Sequence, residues 1–356
     1  MAVLNNPSEA VAVETGPEVV SFPTHFADLS HKSLQDIAGK GFEPLELTVP
    51  DVDEFEQPTP QMGDVDLRLE GVPRDWEGRL FKLEPSSNRV KVVGIDTTCR
   101  RIGRTRSGFL CALRGTVAWR DDYAYRYQRY GPLLFHMNGR NSGLLGNRQT
   151  DSALLMGVEA LFEREIQSQV CHHFKDSIIL LDGCLATHGS DPAEKAGRLE
   201  AALSAARSNG NSVLAFSKHT RICVGERDAS TLLDNWPHHC ILYVGDLASE
   251  QFKTLKLLGH TFIAKLSPTG YSFRMDIDKE LGLLTAVATV QKLMGSEVIV
   301  QGYPEVLRLA HIFSIFTAME VLGIQRFLAA HYGLRIERPR HTRRLLFGPF
   351  GKWDGA

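Results

Sequence analysis

The sequence predicts an α/β protein, a mixed sheet flanked by helices and preceded by an N-terminal extension. Apolar runs of strand length, VKVVGI, SIILL, SVLAFS, HCILYVG, TFIAKL and YSFRMDI, recur along the 356 residues. Between them, Ser152 to Val170, Asp191 to Ser208, Lys279 to Met294 and Pro304 to Ala330 repeat apolar residues at helical spacing. Three of the strand runs also carry an aspartate where burial is expected: Asp96 after VKVVGI, Asp182 after SIILL, and Asp276 inside YSFRMDI.

The elements follow in chain order. The run ending at Asp96 precedes GFLCALRGTVAW, and a second long strand pairing back on the first predicts the opening hairpin of an RNase H-like sheet. That architecture sets acids at strand ends against an inserted helix. In the helix from Ser152 to Val170, Leu155, Val158, Phe162, Ile166 and Val170 fall on one face at about 100° per residue. Glu159 falls inside that face, Glu163 one turn on and just beyond its edge, and Glu165 off the opposite edge. A glutamate in an apolar face is a functional group aimed inward or a mark against the helix, so Glu159 is the candidate and Glu163 its alternative. SIILL then closes on Asp182-Gly183, which is also an ordinary turn pair. Near the C-terminus Gly-Tyr-Pro interrupts EVIVQ, and Pro304 suits the first turn of a helix with Val306, Leu309, Ala310 and Phe313 inward. On that helix His311 follows Tyr303 by eight positions.

Three acids on separate strands point to one chemistry. A carboxylate desolvated alone costs several kcal/mol or more, so each needs a cation or donors. One shared divalent ion satisfies all three, and oxygen ligands suit Mg²⁺ or Mn²⁺, which clamp the attacking and leaving oxygens in phosphodiester cleavage. The residues thus read as a metal-dependent nuclease.

The series GID, LLMGVEAL, IILLDGCL, VLAFSKHTR, FRMDID and GYPEVLRLAH, from Lys91 to Leu328, resembles in order and spacing the NurA nucleases, partners of a HerA-type hexameric DNA translocase. The resemblance implies metal-binding roles for Asp96, Glu159, Asp182 and Asp276. It implies a cationic role for Lys218 near the scissile phosphate. It puts Tyr303 on a phosphate or base, and His311 at a proton or at the attacking water. It further implies Mn²⁺ or Mg²⁺ as cofactor, DNA as substrate with single-strand endonuclease and 5'-3' exonuclease action, and a homodimer capping the translocase ring. Many relatives carry glycines after the first aspartate, where this chain has Thr97 and Thr98.

Charge adds local detail. A net charge of −2 excludes a globally basic DNA-binding surface. Arg100, Arg101, Arg104 and Arg106 follow Asp96 and are expected, with Lys218 and Tyr303, to touch the DNA backbone; Arg335, Arg338, Arg340, Arg343 and Arg344 form a second cluster. From Glu43 to Glu70 nine acids face one base, Arg68, a poor DNA contact. The expected organisation is an irregular acidic extension over 1–75, a nuclease domain over 76–334 and a basic tail over 335–356. Neither a signal-peptide pattern nor a run of membrane-spanning length is read, so a cytoplasmic location is expected. The six cysteines form neither a disulfide framework nor a zinc pattern, since neighbouring ligands such as His172-His173 diverge. Two other functions stay open: a catalytically silent subunit regulating a translocase, and an RNase H-like nuclease acting on RNA or on junctions.

Overall fold

The computed structural model of the chain describes residues 24–38, 46–48, 67–69, 76, 78–121, 124–138, 151–188, 193–218, 222–224, 227–233, 236–247 and 255–337. The first half comprises α1 (Thr24–Ala38), β1 (Glu46–Thr48), β2 (Leu67–Leu69), β3 (Leu80–Lys82), β4 (Val92–Thr105), β5 (Gly108–Asp121), β6 (Ala124–Asn138), α2 (Asp151–His173), β7 (Ile178–Asp182) and β8 (Ala186–His188). Then follow α3 (Ala193–Ser208), β9 (Ser212–Ser217), β10 (Ile222–Val224), β11 (Arg227–Asp228), β12 (Cys240–Tyr243), β13 (Leu255–Leu257), β14 (Gly259–Lys265) and β15 (Phe273–Asp278). The chain continues through α4 (Leu283–Ser296), β16 (Ile299–Val300), β17 (Tyr303–Pro304), α5 (Glu305–Ser314), α6 (Ala318–Tyr332) and β18 (Arg335–Glu337).

One mixed sheet organises these elements. β6, β5 and β4 form two successive antiparallel hairpins; β4, β7 and β9 then run parallel; β15, β14, β12 and β3 continue antiparallel. This is the RNase H-like arrangement expected from the opening hairpin. β7 and β9 are buried on both faces, which explains why IILL and VLAF are unbroken apolar runs rather than alternating ones.

The two faces carry separate cores, and strand parity decides which residue meets which. Val93, Ile95, Ile179, Leu181, Val213 and Ala215 pack with α2 and α3. The intervening Val92, Ile178, Leu180, Leu214 and Phe216 pack with α4 and α5. Leu155, Val158, Phe162, Ile166 and Val170 of α2 are all buried, so the face read from helical spacing is the face that packs.

Several expectations need correction. Asp96 does not end its strand: β4 continues nine residues beyond it, paired with β5 as far as Thr105. The strand that ends there is its parallel neighbour β7. The single helix expected from Pro304 to Ala330 is two, α5 and α6, separated at Ile315, Phe316 and Thr317. The stretch Glu305–Tyr332 would be long and apolar enough to cross a membrane as one helix, but this break divides it into pieces shorter than the roughly 20 residues a span needs. Described parts of the N-terminal extension are regular: α1 packs Phe26 into the main core, and β1 joins the main sheet between β4 and β18. Arg335 to Glu337, expected to open a tail, thus form a sheet strand. Arg338, Arg340, Arg343 and Arg344, and most of the acidic stretch from Glu43 to Glu70, lie outside the described residues.

Candidate metal centre

The centre lies where β7 ends beside β4. β4 and β7 run in parallel register from Val92↔Ile178 to Ile95↔Leu181, so Asp96 and Asp182 come next in step on the same face. Gly183, at φ +107°, turns the chain immediately after Asp182, a backbone conformation that L side chains rarely adopt. Helix α5 crosses this face closely because of Gly94: a Cβ there would lie 2.9 Å from the Val306 carbonyl oxygen. The close crossing brings the last turn of α5 onto Asp96. His311 Nδ1 lies 3.2 Å from Asp96 Oδ2, and the Ser314 hydroxyl donates to the same oxygen.

The ligand atoms of Asp96, Asp182 and His311 all lie within 4.8 Å of one another. A carboxylate only accepts hydrogen bonds, so in a bond between the two the imidazole donates from Nδ1, and in the neutral ring Nε2 is then the acceptor. The imidazole is 42% exposed while Asp96 is 4% exposed, so the ring forms the outer wall of the centre. Asp182 Oδ2 accepts from Lys218 Nζ at 2.7 Å, whereas Asp182 Oδ1 is buried without a hydrogen-bond partner. Burial raises the Asp182 carboxyl to about 6; Lys218 opposes this shift and the Asp96 charge adds to it. A buried aspartate with one orphaned oxygen, set close to a second carboxylate and an imidazole, fits a divalent cation, which would supply the missing partner.

Two predicted residues support this centre from its margin. The Lys218 ammonium lies 5.3 Å above the Tyr303 ring, and that ring packs edge-on against Phe216 and Phe273. Tyr303 therefore fixes the cation beside Asp182. Glu159 lies on α2, across the sheet from α5 and outside the three converging ligand atoms. Between Asp182, where β7 stops, and Arg104, where β1 pairs, this edge of β4 has no strand neighbour among the described residues. The Cys99 amide donates instead to Glu159 Oε1 at 2.9 Å. Burial foremost, with the charges of Glu163 and Asp96, raises the Glu159 carboxyl to about 8. Glu163 accepts from Gln167 one turn further along.

Other predicted residues lie elsewhere. Asp276 is registered with Ala215, whereas Asp182 is registered with Phe216. That one-residue offset turns Asp276 to the opposite face of the sheet. There its carboxylate takes two bonds from Arg274 (3.0 and 2.9 Å) and one from the Leu185 amide (2.9 Å). Its reading as a metal ligand gives way to that of a fully buried ion-pair partner. The arginine cluster is also displaced: Arg101 and Arg104 approach Asp151 at the start of α2, at 4.0 and 3.0 Å. At about 3.3 Å per residue, Arg104 stands roughly 25 Å along β4 from Asp96 and Arg100 about 13 Å. Proximity in sequence to Asp96 becomes distance when the strand does not end.

Ser314 escaped the sequence reading, and Thr98 entered it only as a departure after Asp96. Their hydroxyls lie 3.1 Å apart, with Ser314 on Asp96. The signal was present: Ser314 is a polar residue in IFSIF, three positions after His311 and so on the same helical face.

No family model matches the chain, and no curated protein matches it in sequence. Solved structures do. The NurA nuclease from Sulfolobus solfataricus is 15% identical at a TM-score of 0.48, over 73% of this chain and 89% of that one. A NurA with manganese is 8% identical at 0.40, over 86% and 97%. Endonuclease V from Streptomyces avermitilis is 10% identical at 0.35, over 74% and 100%. With every TM-score below 0.5, these likenesses carry no argument about chemistry, which rests on the geometry above.

Proposed function

We propose that the chain is a metal-dependent deoxyribonuclease of the NurA type. The carrying observation is the convergence of ligand atoms of Asp96, Asp182 and His311 within 4.8 Å, on an aspartate whose Oδ1 is buried without a partner. A divalent ion bound there supplies Lewis acidity toward a phosphodiester and a water of lowered pKa. Asp96 and Asp182 hold that ion, with Glu159 behind β4 on the Cys99 amide. Mixed carboxylate and imidazole donors favour Mn²⁺ over Mg²⁺. His311, oriented by Asp96, presents Nε2 to coordinate the ion or to take the proton of the attacking water. Lys218, held between Asp182 and the Tyr303 ring, offsets charge on the phosphate.

The finer reading follows the sequence resemblance. The substrate is DNA, cut endonucleolytically in single strands and exonucleolytically from 5' ends, and the working unit is a homodimer delivering cuts beside a HerA-type hexameric ATPase. An apolar patch beside the centre supports an assembly: Ile312, Ile315 and Met319 are 41, 42 and 75% exposed. A silent regulatory subunit has no need of two converging carboxylates, which disfavours that alternative.

Labelled single-stranded DNA, duplex DNA and RNA, digested with and without Mn²⁺ or Mg²⁺ and a HerA-type partner, provide the test. Metal-dependent cutting of DNA, lost in Asp96→Asn and Asp182→Asn, is the expected result. Cleavage confined to RNA would replace the substrate, and full cleavage by both Asn variants would remove the site assignment.

A further inference from the structure

One buried arginine outside the centre holds the end of the helix that builds it. Arg114 lies on β5 directly across from Thr98 of β4, and the β5–β6 pairing shifts register between Leu113 and Gly115. Such a bulge re-aims the side chain at its centre. The Arg114 side chain is 6% exposed and spans the break between α5 and α6. One terminal nitrogen donates to the Ile315 carbonyl at 3.1 Å, the other to Glu320 Oε1 at 2.8 Å, and the guanidinium lies 4.3 Å from the centre of the Phe316 ring. Glu320 Oε2 in turn accepts from the Thr317 amide, while the Thr317 hydroxyl accepts from the Glu320 amide, closing a capping box on α6. A single planar fork thus fixes residues 315, 316 and 320, and the residue before them is Ser314.

We propose that Arg114 is a positioning residue for the metal centre. It pins the C-terminal end of α5 so that His311 and Ser314 stay on Asp96, and it ties that geometry to the start of α6. The inference rests on the nuclease reading for its catalytic consequence only. Lysine cannot replace the fork, since one ammonium cannot bridge a carbonyl and a carboxylate while stacking on an aromatic ring.

The test uses the full chain carrying Arg114→Lys, with Glu320→Gln as a second variant that weakens one grip by removing its charge and touches neither Asp96 nor His311. In Arg114→Lys, kcat on single-stranded DNA with Mn²⁺ is expected to fall about tenfold or more, with KM changed less than about twofold. Mn²⁺ affinity, by calorimetry, is expected to fall several-fold. Amide exchange in the metal-free protein is expected to accelerate across residues 312–317 while the exchange of β7 and β9 stays as in the wild type. Glu320→Gln should show the same pattern more weakly, and it carries the test alone if Arg114→Lys fails to fold. Wild-type Mn²⁺ affinity together with wild-type exchange at 312–317 in the folded variants would overturn the proposal. Neither measurement needs cleavage, so a wild-type protein that cuts no nucleic acid would sink the nuclease reading and leave Arg114 to be decided by these two.

Discussion

Two aspartates that look alike in sequence meet opposite environments. Asp182 keeps one oxygen orphaned beside Asp96, while Asp276, one register step away on the other face, has both oxygens engaged by Arg274 and the Leu185 amide. Asp276→Asn should therefore cost about 3–5 kcal/mol, because it removes the negative charge paired with a buried guanidinium, and chemical denaturation measures this directly. Asp182→Asn should leave the metal-free protein as stable or slightly more so, since it removes one of two facing carboxylates, yet it should abolish cleavage. Glu159 gives a pH signature. Its carboxyl is raised to about 8 in the folded chain, against about 4.3 when unfolded. The folded state thus binds the proton more tightly. That contribution is fully present below about 4.3 and is lost as pH rises through about 8. Metal-free wild type should lose stability across this window, and Glu159→Gln should flatten the loss; a curve of identical slope in both would contradict the assignment. Residue identity was legible at this scale, but facing was not, because YSFRMDI does not reveal its register against β9.

Helix α5 does its work through closeness to the sheet. Gly94 leaves no room for a methyl group under Val306, so Gly94→Ala should push α5 outward, at a cost of about 1–3 kcal/mol. Cleavage should fall more steeply than stability explains, because His311 and Ser314 move with the helix. Thermal unfolding and kcat measured on the same sample separate the two effects. The α2 stripe was legible because its period is intact over five residues, although Ala160, Gln167 and Cys171 are buried off that stripe as well. The break between α5 and α6 was written in the sequence as Thr317-x-x-Glu320 ahead of VLGI, a capping-box signature, but the apolar run across it masked the stop. What completes the break is tertiary, the reach of Arg114 from β5, and no local pattern carries that. β4 was read short for a similar reason: polar residues after Asp96 suggest a turn, while in the fold they continue a strand sustained by β5.

Across the whole molecule the centre sits at a split in the sheet, where β4 loses β7 as a neighbour and has not yet reached β1. The order of acids along the chain was legible because parallel strands deliver their C-terminal ends to one edge. The contribution of β1 and β18 was not, since three-residue segments draw their stability from the sheet they join. The exposed Ile312, Ile315 and Met319 lie on α5, in the break after it and on α6, so light scattering of the isolated protein should report a dimer, and Met319→Glu should shift it toward monomer. A monomeric wild type would remove the assembly from the account without touching the centre. The centre itself is tested most directly by anomalous scattering from a crystal soaked in Mn²⁺. A peak bounded by Asp96, Asp182 and His311, absent in Asp182→Asn, is the predicted result; a fully occupied Mn²⁺ bound elsewhere, with no density between those three side chains, would contradict it.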